Sequence, residues 1–243
     1  MRHRVAHRGY SAVAPENTLP AFAAAVRAGA THVEFDVRTT VDAVPVVIHD
    51  RTLDRTTTGA GHVWDLSASE VLSFDAGSWF SPAYTGLRVP TLADTLDLLA
   101  SEAPEILLEI KPPATLDQVK AIVEQVAERG LLARTTVQSF DPAVVALIRE
   151  AAPDVRRGLL RHGFTAETVA LARDLGVVCC NPSVGDVLSD PETARALTEG
   201  GIEVMPWTAN DMTQWPALAK SGAAGLITDL VGELTGWSAT AQP

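Results

Sequence analysis

Eight short apolar runs recur along the 243 residues, and each is followed by a segment whose apolar residues have helical spacing. Glycine or a polar turn closes each pair of run and segment. The runs are centred on residues 5–6, 32–37, 106–110, 136–138, 158–160, 177–180, 203–205 and 225–228. This alternation predicts the α/β fold class, and over this length it favours a single (β/α)8 TIM barrel over a doubly wound sheet.

The predicted helices carry recognisable signals at their ends. The first lies between Thr18, a candidate N-cap followed by a proline in the first turn, and Gly29, just beyond the last turn. Six more follow the same rule and are expected at residues 92–100, 116–129, 142–151, 165–176, 191–198 and 211–221. A tail of Ser, Thr and Ala after Trp237 is expected to fray.

Residues 50–90 interrupt this alternation. The stretch is rich in Thr, Ser, Gly and Asp, yet it holds a concentration of aromatic side chains although only 5% of the chain is aromatic. These are Trp64, Phe74, Trp79, Phe80 and Tyr84. We expect a small insertion after the second strand region, folded over one end of the barrel as part of a pocket wall. The whole chain, residues 1–243, is then a single domain.

Composition narrows the class of function. Hydrophobic residues make up 47% of the chain, which excludes a disordered protein. The formal net charge is −11, from 19 Lys and Arg against 30 Asp and Glu. This balance argues against a nucleic-acid partner, because duplex binding draws its general affinity from Lys and Arg. An anionic substrate must therefore meet positive charge that is concentrated locally.

The cysteines and the apolar segments bear on location. Cys179 and Cys180 are adjacent and form no disulfide framework, so the expected compartment is reducing. No apolar run reaches about 18 residues, and none of signal-peptide length follows the N-terminus. We expect a soluble, cytoplasmic protein without a stable membrane anchor, and the sequence leaves its oligomeric state open.

Polar residues gather at strand ends, where the active site of such a barrel lies. Because side chains alternate along a strand, Glu34 and Asp36 share one face of their run, and Glu109 and Lys111 share one face of the next. Three carboxylates then converge with one lysine, and their mutual repulsion requires a positive partner. We expect one divalent cation, Mg²⁺ or Ca²⁺, since these ions prefer oxygen ligands whereas Zn²⁺ more often recruits His or Cys.

Two histidines also follow strand-like runs. His7 precedes Arg8 at the end of the first run, and His49 follows the run at residues 45–48. A single histidine is more often structural, and a single strand carboxylate is as often a salt-bridge partner, but their joint occurrence favours a site. His162 is a further pocket candidate. The remaining histidines are interpreted as structural: His3, His32 and His62.

An ordered set of motifs runs nearly the full length of the chain. It comprises His7-Arg8-Gly9, Pro15-Glu16-Asn17-Thr18-Leu19-Pro20-Ala21-Phe22, Gly29-Ala30, Glu34-Phe35-Asp36-Val37, Pro45-Val46-Val47-Ile48-His49-Asp50 and Glu109-Ile110-Lys111. Later landmarks are Arg55-Thr56-Thr57, Pro90-Thr91-Leu92, Ser139-Phe140, Trp207-Thr208 and Thr228-Asp229. Each fragment alone is weak, but the ordered set resembles the glycerophosphodiester phosphodiesterase family with high specificity.

The resemblance implies a TIM barrel that binds one divalent cation and uses two histidines as general acid and base. The implied cation ligands are Glu34, Asp36 and Glu109, the implied acid and base are His7 and His49, and the implied phosphate ligands are Arg8 and Lys111. The chemistry agrees, because a phosphodiester repels nucleophiles by its charge. Its hydrolysis needs cationic groups on the nonbridging oxygens and a proton for the leaving alkoxide.

Two further residues are expected to bind substrate, each with an alternative. Asn17 is expected to face the site, although a purely structural cap is equally consistent. Trp207 is expected to line the substrate channel, although a Trp on a barrel strand also fills a core. The chain departs from the family in two turns, where Ala43 stands in place of the usual glycine and Leu230 follows the final Thr-Asp without the frequent proline.

The expected function is a metal-dependent phosphodiesterase that hydrolyses small-molecule glycerophosphodiesters to sn-glycerol 3-phosphate and an alcohol. One alternative is a lysophospholipase D or sphingomyelinase D that acts on lipid phosphodiesters, but the acidic composition and the lack of a membrane segment favour a water-soluble substrate. A catalytically idle binding scaffold is the alternative from another class. Such a protein is expected to have lost a histidine or a cation ligand, and none is missing in this sequence.

Overall fold

Eight parallel strands form a barrel in the computed structural model, which describes residues 1–240. The strands of the chain are β1 (His3–Ala6), β2 (His32–Thr39), β3 (Pro45–Val47), β4 (Glu105–Ile110), β5 (Thr135–Ser139), β6 (Arg156–Arg161), β7 (Cys179–Pro182), β8 (Glu203–Val204) and β9 (Gly225–Thr228). The parallel strands follow the order β8, β7, β6, β5, β4, β2, β1, β9. Backbone hydrogen bonds from Ala224 N to Val204 O (2.9 Å) and from Ile227 N to Pro206 O (3.0 Å) close the ring. The predicted (β/α)8 TIM barrel is confirmed.

Strand β3 stands outside the ring. It pairs antiparallel with the end of β2, with Val37 opposite Val47 and Thr39 opposite Pro45. The strand-like run before His49 is therefore a short hairpin arm on β2. Because of this pairing, residues 48–50 return to the carboxyl end of the barrel.

The predicted helices are present, with three additions. The helices are α1 (Leu19–Arg27), α2 (Ala68–Val71), α3 (Leu92–Ala100), α4 (Leu116–Glu128), α5 (Pro142–Ala151), α6 (Ala166–Leu175), α7 (Val184–Ser189), α8 (Pro191–Glu199), α9 (Trp215–Lys220) and α10 (Val231–Thr240). The additions are α2, α7 and α10. The segment predicted at 211–221 divides into a 3₁₀ turn, Met212–Gln214, and α9.

Side chains cap several of these helices, as the sequence predicts. Thr91 Oγ1 accepts a hydrogen bond from Asp94 N (3.0 Å), and the Asp94 carboxylate accepts one from Thr91 N (3.0 Å). Thr18 differs, because its hydroxyl donates to Pro15 O (2.6 Å) and does not cap α1. The Thr18 side chain therefore holds the preceding loop.

The last helix overlaps the tail that was expected to fray. α10 runs past Trp237 to Thr240, and the Trp237 ring packs edge to face on Trp215 with centroids 5.7 Å apart. The rest of that tail, residues 241–243, lies outside the described residues. No helix in residues 1–240 is both long and apolar enough to cross a membrane.

The alternation of side chains along the strands divides the core into two layers. Outward-facing residues such as Phe35 and Leu108 pack with Phe22 and other helix residues in the largest apolar cluster. Inward-facing residues form a smaller cluster inside the barrel: Val5, Leu107, Cys179, Met205 and Ile227. Because Leu107 and Glu109 share a face of β4, this apolar layer lies directly below the polar residues at the carboxyl end.

Residues 50–90 lie between β3 and α3 and fold around their own apolar cluster. They contain the 3₁₀ turns Val63–Asp65 and Pro82–Tyr84 as well as α2. Leu53, Val63 and Val71 are fully buried in a cluster with Val46 and Ile48 of the hairpin arm. The Tyr84 hydroxyl donates to Val13 O (2.9 Å), so the insertion also rests on the loop after β1.

Candidate active site

Three carboxylates meet inside the carboxyl end of the barrel. Glu34 and Asp36 point inward from β2 and Glu109 from β4, with exposed fractions of 3%, 1% and 4%. Each offers an oxygen within 4.8 Å of the others, and within residues 1–240 this is the one group of three His, Cys, Asp or Glu that meets that distance. The sequence-predicted set of cation ligands is therefore brought together in space.

Two cationic side chains and one amide surround Asp36. Lys111 Nζ lies 2.9 Å from Asp36 Oδ1 and 2.7 Å from Glu109 Oε1. Arg8 Nε lies 3.4 Å from Asp36 Oδ2, and Arg8 N donates to Glu34 Oε2 (2.8 Å). Asn17 Nδ2 donates to Asp36 Oδ2 (2.8 Å), and Asp36 N donates back to Asn17 Oδ1 (3.2 Å). These contacts hold the three carboxylates in a fixed arrangement.

The carboxylates differ in their affinity for protons. Burial and the nearby charges of Asp36 and Glu109 raise the pKa of Glu34 well above its ordinary value. Burial also raises the pKa of Glu109 to about 8, although Lys111 acts in the opposite direction. Burial alone would raise the pKa of Asp36, but Lys111 and Arg8 outweigh it and hold that pKa well below its ordinary value. The nearby cationic side chains therefore do not offset the burial of all three negative charges.

The residues present fit a divalent cation with oxygen ligands. The donor set is carboxylate only, which suits Mg²⁺ or Ca²⁺. Lys111 Nζ, the cationic group beside Glu109 Oε1, is shared with Asp36, and within residues 1–240 no cationic side chain lies within 4 Å of Glu34. Glu34 therefore has no direct cationic partner, and a bound cation would supply one.

Two histidines at the rim are each held by an aspartate. His7 Nδ1 lies 2.7 Å from Asp229 Oδ1, and His49 Nδ1 lies 2.7 Å from Asp50 Oδ1. Hydrogen bonds from the His7 and Asn210 side chains outweigh burial and lower the pKa of Asp229 to about 2. Since an ionised aspartate accepts the Nδ1 proton, Nε2 is the nitrogen of each ring that can exchange a proton with a ligand.

A cavity of about 290 Å³ joins these groups. Its walls include the predicted residues His7, Arg8, Glu34, His49, Glu109, Lys111 and Trp207. One corner is aromatic, with the His162 ring stacked on Phe140 (centroids 5.0 Å apart) and edge to face with Trp207 (5.0 Å). Trp207 lies in this wall rather than in the barrel core, and its Nε1 donates to Asn181 O (2.8 Å).

The structure modifies two expectations about which residues line the cavity. Asn17 is 4% exposed and does not line the cavity, so its contact within the site is with Asp36. The insertion was expected to form a pocket wall. None of the residues that line this cavity comes from 51–90, but Thr56, Thr57, Ala76 and Val89 line a small adjoining pocket that shares His49 with it. The aromatic rings of the insertion do not line the cavity because they pack on one another, as Phe80 does on Trp79 and Tyr84.

Sequence reasoning did not assign roles to several residues of the site. Gln138, which lines the cavity, and Asp229 stand at or directly after strand ends, so the rule that found His7 and Glu109 also points to them. Asp50 follows His49 directly, and its carboxylate is the partner of that ring. The contact of His7 with Asp229 gives no sequence signal, because it spans 222 residues and depends on the pairing of β1 with β9.

Comparison with known proteins places this arrangement in a family. The model described as "Glycerophosphoryl diester phosphodiesterase family" matches residues 7–233. The chain belongs to the glycerophosphoryl diester phosphodiesterase family. A member from Caldanaerobacter subterraneus subsp. tengcongensis, named glycerophosphodiester phosphodiesterase, is 32% identical over 227 residues, which are 93% of each chain. Glycerophosphodiester phosphodiesterase 1 of Mus musculus is 35% identical, with 93% of this chain and 77% of the mouse protein covered.

Solved structures of the glycerophosphoryl diester phosphodiesterase family share the barrel. The crystal structure of a glycerophosphodiester phosphodiesterase from Agrobacterium tumefaciens has a TM-score of 0.85 at 29% identity and covers 97% of this chain and 100% of that one. An Oleispira antarctica phosphodiesterase in complex with the product sn-glycerol-3-phosphate has a TM-score of 0.90 at 26% identity and covers 96% and 94%. These relatives are phosphodiester hydrolases by name and lend no support to a lipid-directed phospholipase D or an idle scaffold.

Proposed function

We propose that this protein hydrolyses glycerophosphodiesters to sn-glycerol 3-phosphate and an alcohol, and that the reaction depends on one divalent cation, Mg²⁺ or Ca²⁺. The observation that carries the proposal is that a cluster of three buried carboxylates, of which Glu34 and Glu109 line the cavity, lies at the same cavity as two aspartate-held histidines. The product named in the Oleispira structure, sn-glycerol-3-phosphate, supports the substrate class. A cavity of about 290 Å³ suits a small molecule of this size.

The phosphate is bound by positive charge at the cluster, from the cation and from two cationic side chains. Glu34, Asp36 and Glu109 would hold the cation, which when bound supplies a Lewis acid for a phosphate oxygen. Arg8 and Lys111, which line the same cavity, donate hydrogen bonds to the nonbridging oxygens. Asp36 keeps both cationic side chains in place, so positive charge is concentrated where the chain as a whole is acidic.

The two histidines move the protons. One of His7 and His49 accepts a proton at Nε2 from the attacking hydroxyl, which belongs to water or to the glycerol group of the substrate. The attacking oxygen forms a new bond to phosphorus, and the other histidine donates a proton to the oxygen of the leaving alcohol as its phosphorus–oxygen bond breaks. Attack by water gives sn-glycerol 3-phosphate directly, whereas attack by the glycerol hydroxyl gives a cyclic phosphate that a water molecule opens in a second step. Asp229 and Asp50 fix the tautomer of the rings, which leaves Nε2 of each ring as the nitrogen that transfers the proton.

Two further side chains complete the binding site. Trp207 contacts the leaving alcohol at the aromatic corner of the cavity. Asn17 acts on the substrate through Asp36, because both polar atoms of its amide are engaged with that residue.

Assays on glycerophosphocholine test the proposal directly. Replacement of either histidine, His7→Ala or His49→Ala, is expected to lower kcat by about 10²- to 10⁴-fold, since each removes one proton-transfer group. His62→Ala is the matched control, because His62 stacks on Trp64 in the insertion and does not line the cavity. A chelator is expected to abolish turnover of the wild-type enzyme, and Mg²⁺ or Ca²⁺ to restore it.

Three outcomes contradict parts of the proposal. Near-normal turnover of either variant excludes acid and base catalysis by that histidine. Full activity in excess chelator excludes the divalent cation. Hydrolysis of lysophosphatidylcholine in preference to glycerophosphocholine replaces the water-soluble substrate with a lipid.

A further inference from the structure

Arg55, at the start of the insertion, connects two parts of the active site that are distant in sequence. Its Nη1 and Nη2 donate to Glu16 Oε2 (2.7 Å) and Oε1 (2.8 Å). Its Nε and Nη2 donate to Asp50 Oδ2 (2.6 Å) and Oδ1 (3.1 Å). One guanidinium thus forms a bidentate contact with each of two carboxylates.

Each carboxylate in turn holds a residue that lines the cavity. Glu16 Oε1 accepts a hydrogen bond from Arg8 Nη1 (2.9 Å), and Asp50 Oδ1 lies 2.7 Å from His49 Nδ1. A chain of hydrogen-bonded side chains therefore runs from Arg8 through Glu16, Arg55 and Asp50 to His49. It joins the loop after β1 to the hairpin arm on β2.

We propose that Arg55 is a positioning residue that fixes the phosphate-binding Arg8 and the proton-transferring His49 relative to each other. This inference rests on the proposed function. It also gives the insertion a role at the active site although none of its residues from 51–90 lines the cavity.

The geometry distinguishes this network from an ordinary surface ion pair. Exposed pairs between single charges contribute little, because solvent screens them and side-chain entropy opposes them. The Arg55 side chain is 45% exposed, but Glu16 and Asp50 are only 13% and 27% exposed. The bidentate contacts fix the orientation of the guanidinium plane. A lysine ammonium group could not bind both carboxylates in this fixed geometry.

The bidentate contact of Arg55 with Asp50 also offsets the negative charge of that carboxylate. Hydrogen bonds from Arg55 and His49 outweigh burial and lower the pKa of Asp50 to about 2, so its carboxylate is ionised at neutral pH. The pKa of Glu16 is lowered in the same way by Arg55 and Arg8, despite its burial. Both carboxylates are therefore held as anions, Glu16 between the guanidinium groups of Arg55 and Arg8, and Asp50 between Arg55 and the His49 ring.

Kinetic measurements on the full chain test the role of Arg55. Arg55→Ala is expected to lower kcat/KM for glycerophosphocholine on the order of 10²-fold, because misplacement of reacting groups by about 1 Å has effects of that size. The loss is expected in both parameters, with KM raised through Arg8 and kcat lowered through His49. Glu16→Gln cuts the arm to Arg8 and is expected to raise KM more than it lowers kcat.

Two further measurements separate positioning from folding. Millimolar guanidinium is expected to restore part of the activity of Arg55→Ala, whereas Arg55→Lys, which keeps the charge without the fork, is expected to remain impaired. Arg129→Ala is the matched control, since Arg129 Nε donates to Asp97 Oδ1 (2.6 Å) between α3 and α4, away from the cavity. Its kcat/KM is expected within about twofold of wild type, the range of an ordinary surface substitution.

The outcomes are distinguishable from failure of the proposed function. An active wild type together with kcat and KM of Arg55→Ala within about twofold of its values overturns the positioning role. So does a loss that guanidinium leaves unchanged and that follows the unfolded fraction measured by circular dichroism. Where Arg55→Ala does not fold, Arg55→Lys decides by the same criteria. A wild type that cleaves no diester overturns the proposed function instead.

Discussion

The two ends of the barrel carry the same kinds of residue on the same strands. At the amino end, His3, His32 and Glu105 begin strands β1, β2 and β4, and with Arg156 and Glu203 they line a cavity of about 280 Å³. At the carboxyl end those strands carry the proposed catalytic residues around a cavity of about 290 Å³. Neither residue type nor cavity volume therefore separates a candidate active site from the other end of the same barrel.

Burial and charge pairing do separate them. At the amino end Glu105 lies 2.8 Å from Arg156, Glu203 is paired with Arg2, and the two carboxylate side chains are 42% and 38% exposed. At the carboxyl end the three carboxylates are at most 4% exposed, and within residues 1–240 no cationic side chain lies within 4 Å of Glu34. A buried carboxylate without a direct cationic partner favours a cation, whereas exposed one-to-one pairs are already neutral.

The largest expected difference between the ends comes from two glutamates on one strand. Glu105 and Glu109 share a face of β4, and Glu109→Gln removes a proposed cation ligand. Loss of several kcal/mol of transition-state stabilisation lowers kcat on the order of 10³-fold, which turnover of glycerophosphocholine measures. Glu105→Gln is the control, and its kcat is expected within about twofold of wild type.

Calorimetric titration with Mg²⁺ or Ca²⁺ extends the same comparison. Glu109→Gln is expected to weaken cation binding, and Glu105→Gln to leave it unchanged. Equal effects of the two substitutions on kcat and on cation affinity would break the distinction between the ends.

A smaller difference is expected for the carboxylates that hold histidines. Asp229 holds His7 at 2.7 Å, and at the amino end Glu203 Oε2 lies 3.2 Å from His3 Nε2. Asp229→Asn disturbs the tautomer of His7 and is expected to lower kcat by about 10- to 100-fold, the usual range for a residue that orients another. Glu203→Gln is expected to leave kcat unchanged.

The charge of Asp229 also bears on the pH dependence of the enzyme. The pKa of Asp229 is lowered to about 2, so its carboxylate is ionised throughout an assay range above pH 5. Protonation of Asp229 is therefore expected to contribute nothing to the pH profile of the wild-type enzyme across that range. A side-chain carboxyl resonance of Asp229 that titrates above pH 5, measured by NMR, would contradict this.

Much of the fold was predictable because its signals are local. The eight barrel strands and most helices follow from hydrophobic periodicity and from caps such as Thr91. Helix α7 has six residues, too few for periodicity to show. Helix α10 contains Gly232 and Gly236, which oppose a helix by propensity, but burial of Val231 and Leu234 against the core outweighs that cost.

The residues of the site also fall into those that local sequence patterns predict and those that they do not. The carboxylate set was predictable, because strand alternation places Glu34 and Asp36 on one face without knowledge of the fold. The partner of His7 and the bridge from Arg55 to Glu16 were not, since they join residues 222 and 39 positions apart. Such contacts depend on closure of the barrel and on packing of the insertion.

Backbone conformation supplies a last contrast between the ends. At the amino end, the turns before β7 and β9 pass through the left-handed region at Gly176 (φ 63°) and Gly222 (φ 92°), where glycine is unstrained. Arg8 (φ 56°), Asn17 (φ 56°) and Ala43 (φ 63°) adopt such angles in segments that follow β1 and β2 at the carboxyl end. Arg8 and Asn17 contact the carboxylate cluster, so their strain accompanies a role in the site.

The strained backbone of Ala43 is not accompanied by a contact with the carboxylate cluster. Relief of that strain is the smallest of the expected effects. Ala43 lies in the turn between β2 and β3, and a left-handed alanine costs about 1–2 kcal/mol. Ala43→Gly relieves that strain but adds about 0.5–1 kcal/mol of chain entropy to the unfolded state. We therefore expect the free energy of unfolding to rise by about 0.5–1 kcal/mol, measured by urea denaturation, with kcat unchanged.

The same substitution in a helix provides the control for this prediction. Ala170 lies exposed in the middle of α6, where the backbone is right-handed and alanine is favoured. Ala170→Gly is expected to lower the free energy of unfolding by about 1 kcal/mol, opposite in sign to Ala43→Gly. Equal destabilisation by both would mean that unfolded-state entropy outweighs the strain at Ala43. Strain at the carboxyl end would then be no guide to which residues serve the site.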